Sequence, residues 1–422
     1  MRGGARAVAL RVVRRVVEER AYSNLTLSSE LRRSALAVAD RALAAELAYG
    51  TLRRMLRLDS AIESRAGRPV ARMTPGALAA LRLGAYQLLF TRIPAHAAVG
   101  ETVGLVAGRE RGFVNGVLRA IAADPPSPPE GDDPAAIAAR TGVAPWAVEE
   151  LARLLGREGE RAAEALAERA PLALRAVGGA SDRLETALRG SGLEPRRGAI
   201  VPETVLVDAG APDQLPGFRE GWFAVQDEAS AFVSGAVSSL RGDRVLDACA
   251  GPGGKAAHLA ELAGGVVAGD VSPKRAGLVV RAAERLGVRA LVLVQDARRP
   301  ALEAVFDRVL VDAPCSGVGA ARRRPELLWR PLEEEVSRLA ELQLEIVAAA
   351  SELLVPGGRL IYSVCTFPRE ETDGVCERLL EARPYLEPSD VRGPDGPAPR
   401  VRLWPHRHGT DAMFVAAFVR LT

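Results

Sequence analysis

The chain has 422 residues, of which 48% are hydrophobic, and it is longer than one ordinary domain. We therefore expect two or three packed domains, and the composition excludes an intrinsically disordered chain. No apolar run approaches the roughly 20 residues of a membrane span, and the amino terminus lacks a signal-peptide pattern, so we expect a soluble, cytoplasmic protein.

The cysteine content and the distribution of charge limit the kinds of site and partner that we expect. The four cysteines include no C-x-x-C pair, and the chain has only 4 histidines, so we expect no metal and no disulfide framework. The net charge of +3 hides an asymmetry, because residues 1–124 contain 20 Arg, no Lys and 10 Asp or Glu, a formal charge of +10. Such a basic region suggests a nucleic-acid partner, although a solvated Arg-rich surface would leave the same pattern.

Residues 1 to about 122 have a helical pattern throughout. Apolar residues recur at helical spacing from Val8 to Val17 and again from Leu78 to Leu89. The second of these helices is predicted to begin at Thr74, followed by a first-turn proline. A proline-rich stretch, residues 124–133, then predicts an extended linker. We therefore predict an all-α domain over residues 1–124.

The next region, residues 133–217, mixes helical and strand-like patterns. We predict two helices followed by a strand, a further helix and short strand-like pieces. These elements are placed at about 145–155, 158–168, 171–177, 181–190 and 204–207. The pattern indicates a small α+β module.

From residue 218 to 422, strands and helices alternate. Strand-like runs occupy 244–248, 265–268, 290–294, 306–311 and 359–363, with helices at about 255–263, 273–286 and 333–354. This alternation predicts a Rossmann-like α/β domain with a parallel, doubly wound sheet, in which ligands bind beyond the carboxyl ends of the strands. The chemically unusual residues lie just past those ends: the loop 249–255, Asp270, Asp296, Asp312, Cys315 and Cys365.

A glycine-rich loop, Asp-Ala-Cys-Ala-Gly-Pro-Gly-Gly-Lys over residues 247–255, follows the first of these strands. Its glycines let the backbone approach a ligand, and the helix that follows presents unpaired amides. Asp270 is placed to bind ribose hydroxyls, and Asp296 an adenine amino group. The glycine spacing also fits an NAD-binding loop or a tight turn without a ligand. A P-loop is excluded, because Ala256 stands where Ser or Thr is required.

Cys315 and Cys365 follow the fourth and fifth strands, so we expect both thiols at one mouth of the sheet. A lone cysteine at a strand end is more often a packing residue. Two cysteines beside Asp312 and Lys255 favour nucleophilic chemistry instead, because cationic surroundings and unpaired amides populate the thiolate. A thiolate that attacks carbon 6 of cytosine makes carbon 5 nucleophilic, and an acid such as Asp312 would stabilise the intermediate. The two remaining cysteines are expected to be packing residues: Cys249 and Cys376.

The order of these motifs resembles that of bacterial RNA 5-methylcytosine methyltransferases of the RsmB/Sun (NOL1/NOP2/Sun) type, and the resemblance covers nearly the whole chain. In the C-terminal part it rests on residues 247–255, 312–316, 322–329, 362–371 and 405–414. The N-terminal region is similar to the NusB-like RNA-binding domain of this subfamily, notably at residues 40–52, 93–99 and 112–119.

The resemblance implies S-adenosylmethionine as the cofactor and small-subunit (16S) ribosomal RNA as the partner, before or early in subunit assembly. We expect the protein to act as a monomer. It makes Cys365 rather than Cys315 the nucleophile, with Cys315 assisting product release, and it adds Asp312 and Lys255 as catalytic residues. The choice between the cysteines rests on the family and not on chemistry alone. The cofactor-binding residues that it implies are Cys249, Ala250, Gly251, Pro252, Gly253, Gly254, Lys255, Asp270, Asp296 and Asp312.

The expected architecture is therefore multidomain: an all-α NusB-like domain (1–124), a small α+β RNA-binding module (133–217) and an α/β Rossmann-like class I methyltransferase domain (218–422). The arginine run 322–324 is expected either along the RNA path or on a solvated face. Three other functions stay open: an assembly factor with a silent methyltransferase domain, an amine methyltransferase, which needs no thiol, and a dehydrogenase.

Overall fold

The computed structural model describes residues 4–208, 210–330 and 333–421. The chain forms two compact units. Unit 1 comprises residues 1–169 and 321–331, and unit 2 comprises residues 170–320 and 332–422. Unit 1 is thus built from two separate stretches of the chain.

Unit 1 is all-helical in its described part. Its α-helices are α1 (Ala5–Glu18), α2 (Ser23–Arg33), α3 (Val38–Arg53), α4 (Met55–Ala66), α5 (Pro75–Phe90), α6 (Ala95–Gly104), α7 (Glu110–Ala123), α8 (Pro134–Thr141), α9 (Pro145–Leu155) and α10 (Gly159–Leu166). Helix α5 begins where predicted, because the Thr74 side chain accepts a hydrogen bond from the Ala77 amide and Pro75 occupies the first turn. One apolar core joins α1, α3, α4, α5 and α7.

Helices α8 to α10 belong to unit 1, whereas the sequence predicted a separate module from residue 133 onward. Helix α8 packs on α4. Gly142 lets the chain pass close to α3, since a Cβ there would lie 2.6 Å from the Arg53 carbonyl oxygen. The proline-rich stretch is packed against the helices, because Arg140 of α8 donates to the Pro129 carbonyl at 3.2 Å. The predicted boundary therefore falls inside a packed helical unit.

A second stretch of chain, residues 321–330, completes unit 1. Glu326 is fully buried and accepts a hydrogen bond from the Ser23 amide at 3.1 Å. The Trp329 indole packs against the helical core and donates to the Leu52 carbonyl at 2.8 Å. These contacts make the segment part of the helical core, although it lies about 150 positions beyond α10 in the sequence.

Unit 2 begins with a small antiparallel sheet. Its elements are β1 (Leu172–Ala176), α11 (Ser181–Gly190), β2 (Arg196–Arg197), β3 (Thr204–Val207) and β4 (Phe223–Val225). The strand order is β2-β3-β1-β4, with antiparallel pairs throughout. The predicted strands near 171–177 and 204–207 and the helix at 181–190 are observed, while β4 lies beyond the predicted end of the module at residue 217.

The rest of unit 2 contains the larger sheet. Its elements, in chain order, are α12 (Glu228–Ala236), β5 (Val245–Asp247), α13 (Gly254–Ala263), β6 (Val266–Asp270), α14 (Pro273–Leu286), β7 (Ala290–Val294), β8 (Phe306–Asp312), α15 (Glu333–Ser351), β9 (Leu354–Val364), α16 (Asp373–Ala382), β10 (Leu386–Ser389), β11 (Val391–Gly393), β12 (Gly396–Ala398), β13 (Arg400–Leu403), α17 (Pro405–His408) and β14 (Met413–Arg420). The sheet order is β10-β14-β9-β8-β5-β6-β7, β13 pairs with β14, and β11 and β12 form a separate hairpin.

The five predicted strands, β5 to β9, run parallel to one another. The last strand, β14, was not predicted, and it lies antiparallel between β9 and β10, so the sheet is mixed. Both faces are covered: Leu310 of β8 packs with α12 and α13, while Val309 and Val311 pack with α15 and α16. The strand order reverses between β5 and β8, and doubly wound sheets bind ligands at this switch point.

Candidate active site

The glycine-rich loop leaves β5 at the switch point and leads into α13. Gly253 has a φ of +112°, and a Cβ there would lie 2.9 Å from the Val279 Cα. A Cβ on Gly251 would lie 2.4 Å from the Asp270 Oδ2 atom. Because no side chain fits at these two positions, the glycines let the loop backbone lie directly against β6 and α14.

Asp270, the last residue of β6, holds this loop. Its carboxylate accepts hydrogen bonds from the Gly251 amide at 3.1 Å and the Ser272 amide at 2.8 Å. The Arg275 Nε lies 3.0 Å from both carboxylate oxygens. Asp270 is buried, whereas the Arg275 side chain is 50% exposed. The predicted ribose-binding residue is therefore in contact with the loop and has protein partners on both oxygens.

Asp296 lies two residues past β7, at the surface. Arg298 binds its carboxylate, with an NH2 to Oδ2 distance of 2.6 Å. Hydrogen bonds from the Arg298 side chain and amide lower the pKa of Asp296 to about 2. The Asp296 side chain is 37% exposed, so solvent competes for this carboxylate.

An ion pair with little solvent exposure joins the glycine loop to β8. The Lys255 Nζ lies 2.7 Å from the Asp312 Oδ2, and the Ser363 hydroxyl donates to Oδ1 at 3.0 Å. Burial by itself would lower the pKa of Lys255, but the charge and hydrogen bond of Asp312, together with the nearby Cys365 and Asp247, raise it. Lys255 is therefore held as a cation beside the carboxyl ends of β8 and β9.

The two cysteines that follow β8 and β9 are in contact. The Cys315 and Cys365 sulfur atoms lie 3.4 Å apart, and both residues are partly exposed. The hydrogen bond with Cys365 and burial raise the pKa of the Cys315 thiol well above its ordinary range. Cys315 is therefore held as a protonated thiol within hydrogen-bonding distance of the Cys365 sulfur, and either sulfur can be the donor. This pair also lies where the sequence placed it, because neighbouring parallel strands end at the same edge.

Glu371, which is absent from the site predicted from the sequence, bonds to the loops that carry both cysteines. It is fully buried and accepts from the Ser316 amide at 2.8 Å and the Thr366 hydroxyl at 3.3 Å. Burial raises the pKa of Glu371, and these hydrogen bonds oppose the rise. Its sequence context, Pro-Arg-Glu-Glu over 368–371, is polar and gives no sign that one of its acids is buried.

Asp247, at the end of β5, is a second residue absent from the predicted site. Its Oδ1 accepts from the Cys249 amide at 3.3 Å, while its buried Oδ2 has no hydrogen-bond partner among the described residues. Burial and the nearby Asp312 charge raise the pKa of Asp247 to about 7. A buried acceptor without a partner at the start of the glycine loop is available to a ligand.

The other two cysteines pack in the hydrophobic core. Cys249 lies at the edge of the core between the sheet, α15 and α16, and burial raises the pKa of its thiol. Cys376 of α16 is fully buried in the same core, and burial raises its pKa to about 12. Neither thiol is therefore activated.

Two family profiles match this chain. The profile described as 16S rRNA methyltransferase RsmB/F matches residues 236–419, and the NusB family profile matches residues 4–123. A putative methyltransferase of Mycobacterium tuberculosis is 42% identical over 99% of this chain and 97% of its own length. A probable ribosomal RNA small subunit methyltransferase B of Bacillus subtilis is 34% identical over 98% of both chains. The chain belongs to the RsmB/F family of 16S rRNA methyltransferases.

RsmB/F enzymes depend on S-adenosylmethionine, as expected from the resemblance. The crystal structure of a protein designated PH0851 matches 98% of both chains with a TM-score of 0.83 and 26% sequence identity. The predicted combination of a helical NusB domain and an α/β methyltransferase domain is therefore confirmed.

The glycine loop of this RsmB/F chain fits S-adenosylmethionine. Gly251 and Gly253 let the loop backbone lie against β6 and α14, and α13 begins at Gly254 with unpaired amides suited to a carboxylate. The partnerless Oδ2 of Asp247 can accept a hydrogen bond from an ammonium or hydroxyl group. A carboxylate acceptor and a helix amino terminus are the kinds of group that the charged amino-acid part of the cofactor requires.

The arginine run of the family motif at 322–324 lies in unit 1. Arg322 is only 7% exposed, and its carbonyl accepts a hydrogen bond from Arg53 at 3.2 Å. Arg322 therefore does not lie on a solvated face, as one of the two interpretations of the run had it.

None of the described helices is long and apolar enough to cross a membrane. Within residues 4–208, 210–330 and 333–421, no three His, Cys, Asp or Glu side chains are grouped so that they could hold a metal ion.

Proposed function

We propose that this chain methylates carbon 5 of a cytosine in 16S rRNA, through a transient covalent bond between Cys365 and carbon 6 of the base. The observation that carries the proposal is the contact of two thiols, 3.4 Å apart, at the sheet edge that also carries the Lys255–Asp312 pair. A methyltransferase that acts on an amine needs no thiol, and a pair of thiols at this edge has a direct use in carbon methylation.

Cytosine carbon 5 is a poor nucleophile until the ring is attacked. The Cys365 thiolate adds to carbon 6, and negative charge develops on the ring. The Lys255 cation, which Asp312 orients and whose side chain is only 12% exposed, stabilises that charge. Against burial, Asp312 and then the Cys365 thiolate raise the pKa of Lys255, so the lysine and the thiolate favour each other's charged form.

S-adenosylmethionine, when bound, supplies an electrophilic methyl group for carbon 5. We assign its binding to the glycine loop (Cys249 to Lys255), with Asp270, Asp296 and Asp312, and we add Asp247 because of its partnerless oxygen. Asp312 is the residue common to both halves of the site, since it pairs with Lys255 and lies at the end of the strand that leads to Cys315.

Product release requires that the carbon–sulfur bond breaks. The carbon 5 proton passes to water, the double bond between carbons 5 and 6 forms again, and the Cys365 thiolate leaves. Cys315 is held as a protonated thiol in contact with the Cys365 sulfur. A hydrogen bond from that thiol stabilises the leaving thiolate, so we assign Cys315 to release.

We further propose that the basic helical domain, with a formal charge of +10 over residues 1–124, binds the RNA backbone while the target base is extruded into the site. The substrate is then 16S rRNA before or early in subunit assembly, and the protein acts as a cytoplasmic monomer.

The function is tested with unmodified 16S rRNA, S-adenosylmethionine and analysis of methylated nucleosides by mass spectrometry. We expect 5-methylcytosine, and we expect Cys365→Ala to lower its rate by at least about 10³-fold, because the nucleophile is lost. Cys376→Ala removes a core thiol and is the matched control, with activity retained. Methylation of an exocyclic amine, or an active Cys365→Ala variant, would contradict the proposal.

A further inference from the structure

The side chain of Glu371 lies between the two cysteine loops. It belongs to a short turn, Arg369–Glu371, that connects β9 to α16. Two of its hydrogen-bond donors come from Ser316, through the amide at 2.8 Å and the hydroxyl at 2.5 Å. A third is the Thr366 hydroxyl at 3.3 Å. Ser316 directly follows Cys315 and Thr366 directly follows Cys365, so one carboxylate is bonded to the neighbour of each thiol.

A second layer of hydrogen bonds fixes Glu371 itself. Gln343 of α15 donates from its side-chain amide to the Glu371 carboxylate at 2.8 Å and to the Pro314 carbonyl at 2.9 Å. The Tyr362 hydroxyl lies 2.6 Å from the Glu371 carbonyl oxygen and 2.9 Å from the Gln343 side-chain oxygen. Side chains from a strand, a helix and a loop therefore hold the carboxylate in a fully buried place. A donor left without a partner there would lower the free energy of unfolding.

We propose that Glu371 is a positioning residue: its carboxylate ties the Cys315 loop to the Cys365 loop and thereby keeps the two thiols in contact. Neither cysteine loop is held to the other by a disulfide, and the Ser316 and Thr366 hydroxyls, 2.7 Å apart, meet at this same carboxylate. The part that Cys315 plays in product release depends on this contact and rests on the proposed function. The link that Glu371 makes between the two loops does not depend on the proposed function.

The link between the two loops depends on the length of the Glu371 side chain rather than on its charge. Two conservative variants separate these two properties. Glu371→Gln keeps the length of the side chain, and the two hydroxyls can turn to accept from its amide group. Glu371→Asp keeps the charge but is one methylene shorter, so it cannot bond to both loops at once. Asp373→Ala is the matched control, because Asp373 lies two residues on and pairs with Arg400 and Arg402 instead.

The primary measurement is the rate at which diamide closes a Cys315–Cys365 disulfide in the full-length protein. Closure is followed as a loss of two hydrogen atoms and mapped by peptide mass spectrometry, with the thermal midpoint recorded for every variant. We expect Glu371→Asp to close the bond at least about 10-fold more slowly than the wild type, and Glu371→Gln and Asp373→Ala to stay within about 3-fold, since a displacement near 1 Å can cost about 10²-fold in rate.

The proposal is overturned if Glu371→Asp closes the disulfide as fast as Asp373→Ala, or if the wild type forms no such bond. A parallel assay on rRNA separates this result from the proposed function. We expect Glu371→Asp to lower kcat with little change in the KM for rRNA or the KM for S-adenosylmethionine, because the substitution displaces the thiols and not the binding surfaces. If Glu371→Asp closes the disulfide slowly but the wild-type protein makes no 5-methylcytosine, the proposed function is contradicted and the positioning role of Glu371 stays supported.

Discussion

The cysteine side of the candidate site is held by buried side chains, whereas the acids on the proposed cofactor side are also bound by arginines at the surface. Glu371, Gln343 and Tyr362 are fully buried around the cysteine loops. On the other side, Arg275 and Arg298 bind Asp270 and Asp296 and are 50% and 48% exposed. A buried network keeps one geometry, while surface arginines can exchange their partner for water or a ligand. We therefore expect the thiols to keep one arrangement before and after substrate binds, and the two exposed arginines to change partners when the cofactor binds.

The largest effect in this comparison is expected from Asp312, which is common to the two sides. Asp312→Asn leaves Lys255 partly buried without its counter-charge, so we expect kcat to fall by about 10²-fold. Asp307→Asn is the control on the same strand, since Asp307 pairs with Arg244 at the other end of β8, and it should change kcat by less than about 2-fold. Steady-state methylation of rRNA gives kcat for both variants. Equal losses of kcat in Asp312→Asn and Asp307→Asn would show that the Lys255–Asp312 pair has no particular role in the reaction.

A smaller effect is expected from Asp270 on the cofactor side. Asp270→Asn weakens its bonds to the Gly251 and Ser272 amides, so we expect the Kd for S-adenosylmethionine to rise about 10-fold, or about 1.4 kcal/mol.

The smallest effect is expected from Asp296, which is 37% exposed and already neutralised by Arg298. Asp296→Asn should raise the same Kd by only about 2- to 3-fold. Titration calorimetry of both variants gives the order. A larger loss for Asp296 than for Asp270 would mean that the exposed acid carries the binding.

The same contrast explains what the sequence could predict. Parallel strands end at one edge, so the strand pattern alone brought Cys315, Cys365 and Asp312 together across about fifty positions. Asp270 was found for the same reason. These residues lie at the ends of strands, and the periodicity of a strand is visible in the neighbouring sequence, so each strand end could be located from the sequence.

Glu371 and the structure of unit 1 depend on contacts between distant segments. The partners of Glu371 lie at residues 316, 343 and 366, so no local pattern marks it as buried. Residues 321–330 join the helical core through Glu326 and Trp329, which a pattern of strands and helices cannot reveal. Strand β14 was missed although its apolar run, Met-Phe-Val-Ala-Ala-Phe-Val, is typical of a strand buried on both faces.

The central claim is that Cys365 forms a covalent bond with the target cytosine and that Cys315 helps to break it. The direct test is to incubate the Cys315→Ala variant with 16S rRNA and S-adenosylmethionine and to look for a protein–RNA adduct on a denaturing gel. We predict that the adduct accumulates, that nuclease digestion and peptide mapping place it on Cys365, and that the Cys315→Ala/Cys365→Ala double variant forms none. An adduct on another residue, or one that survives in the double variant, would contradict the mechanism.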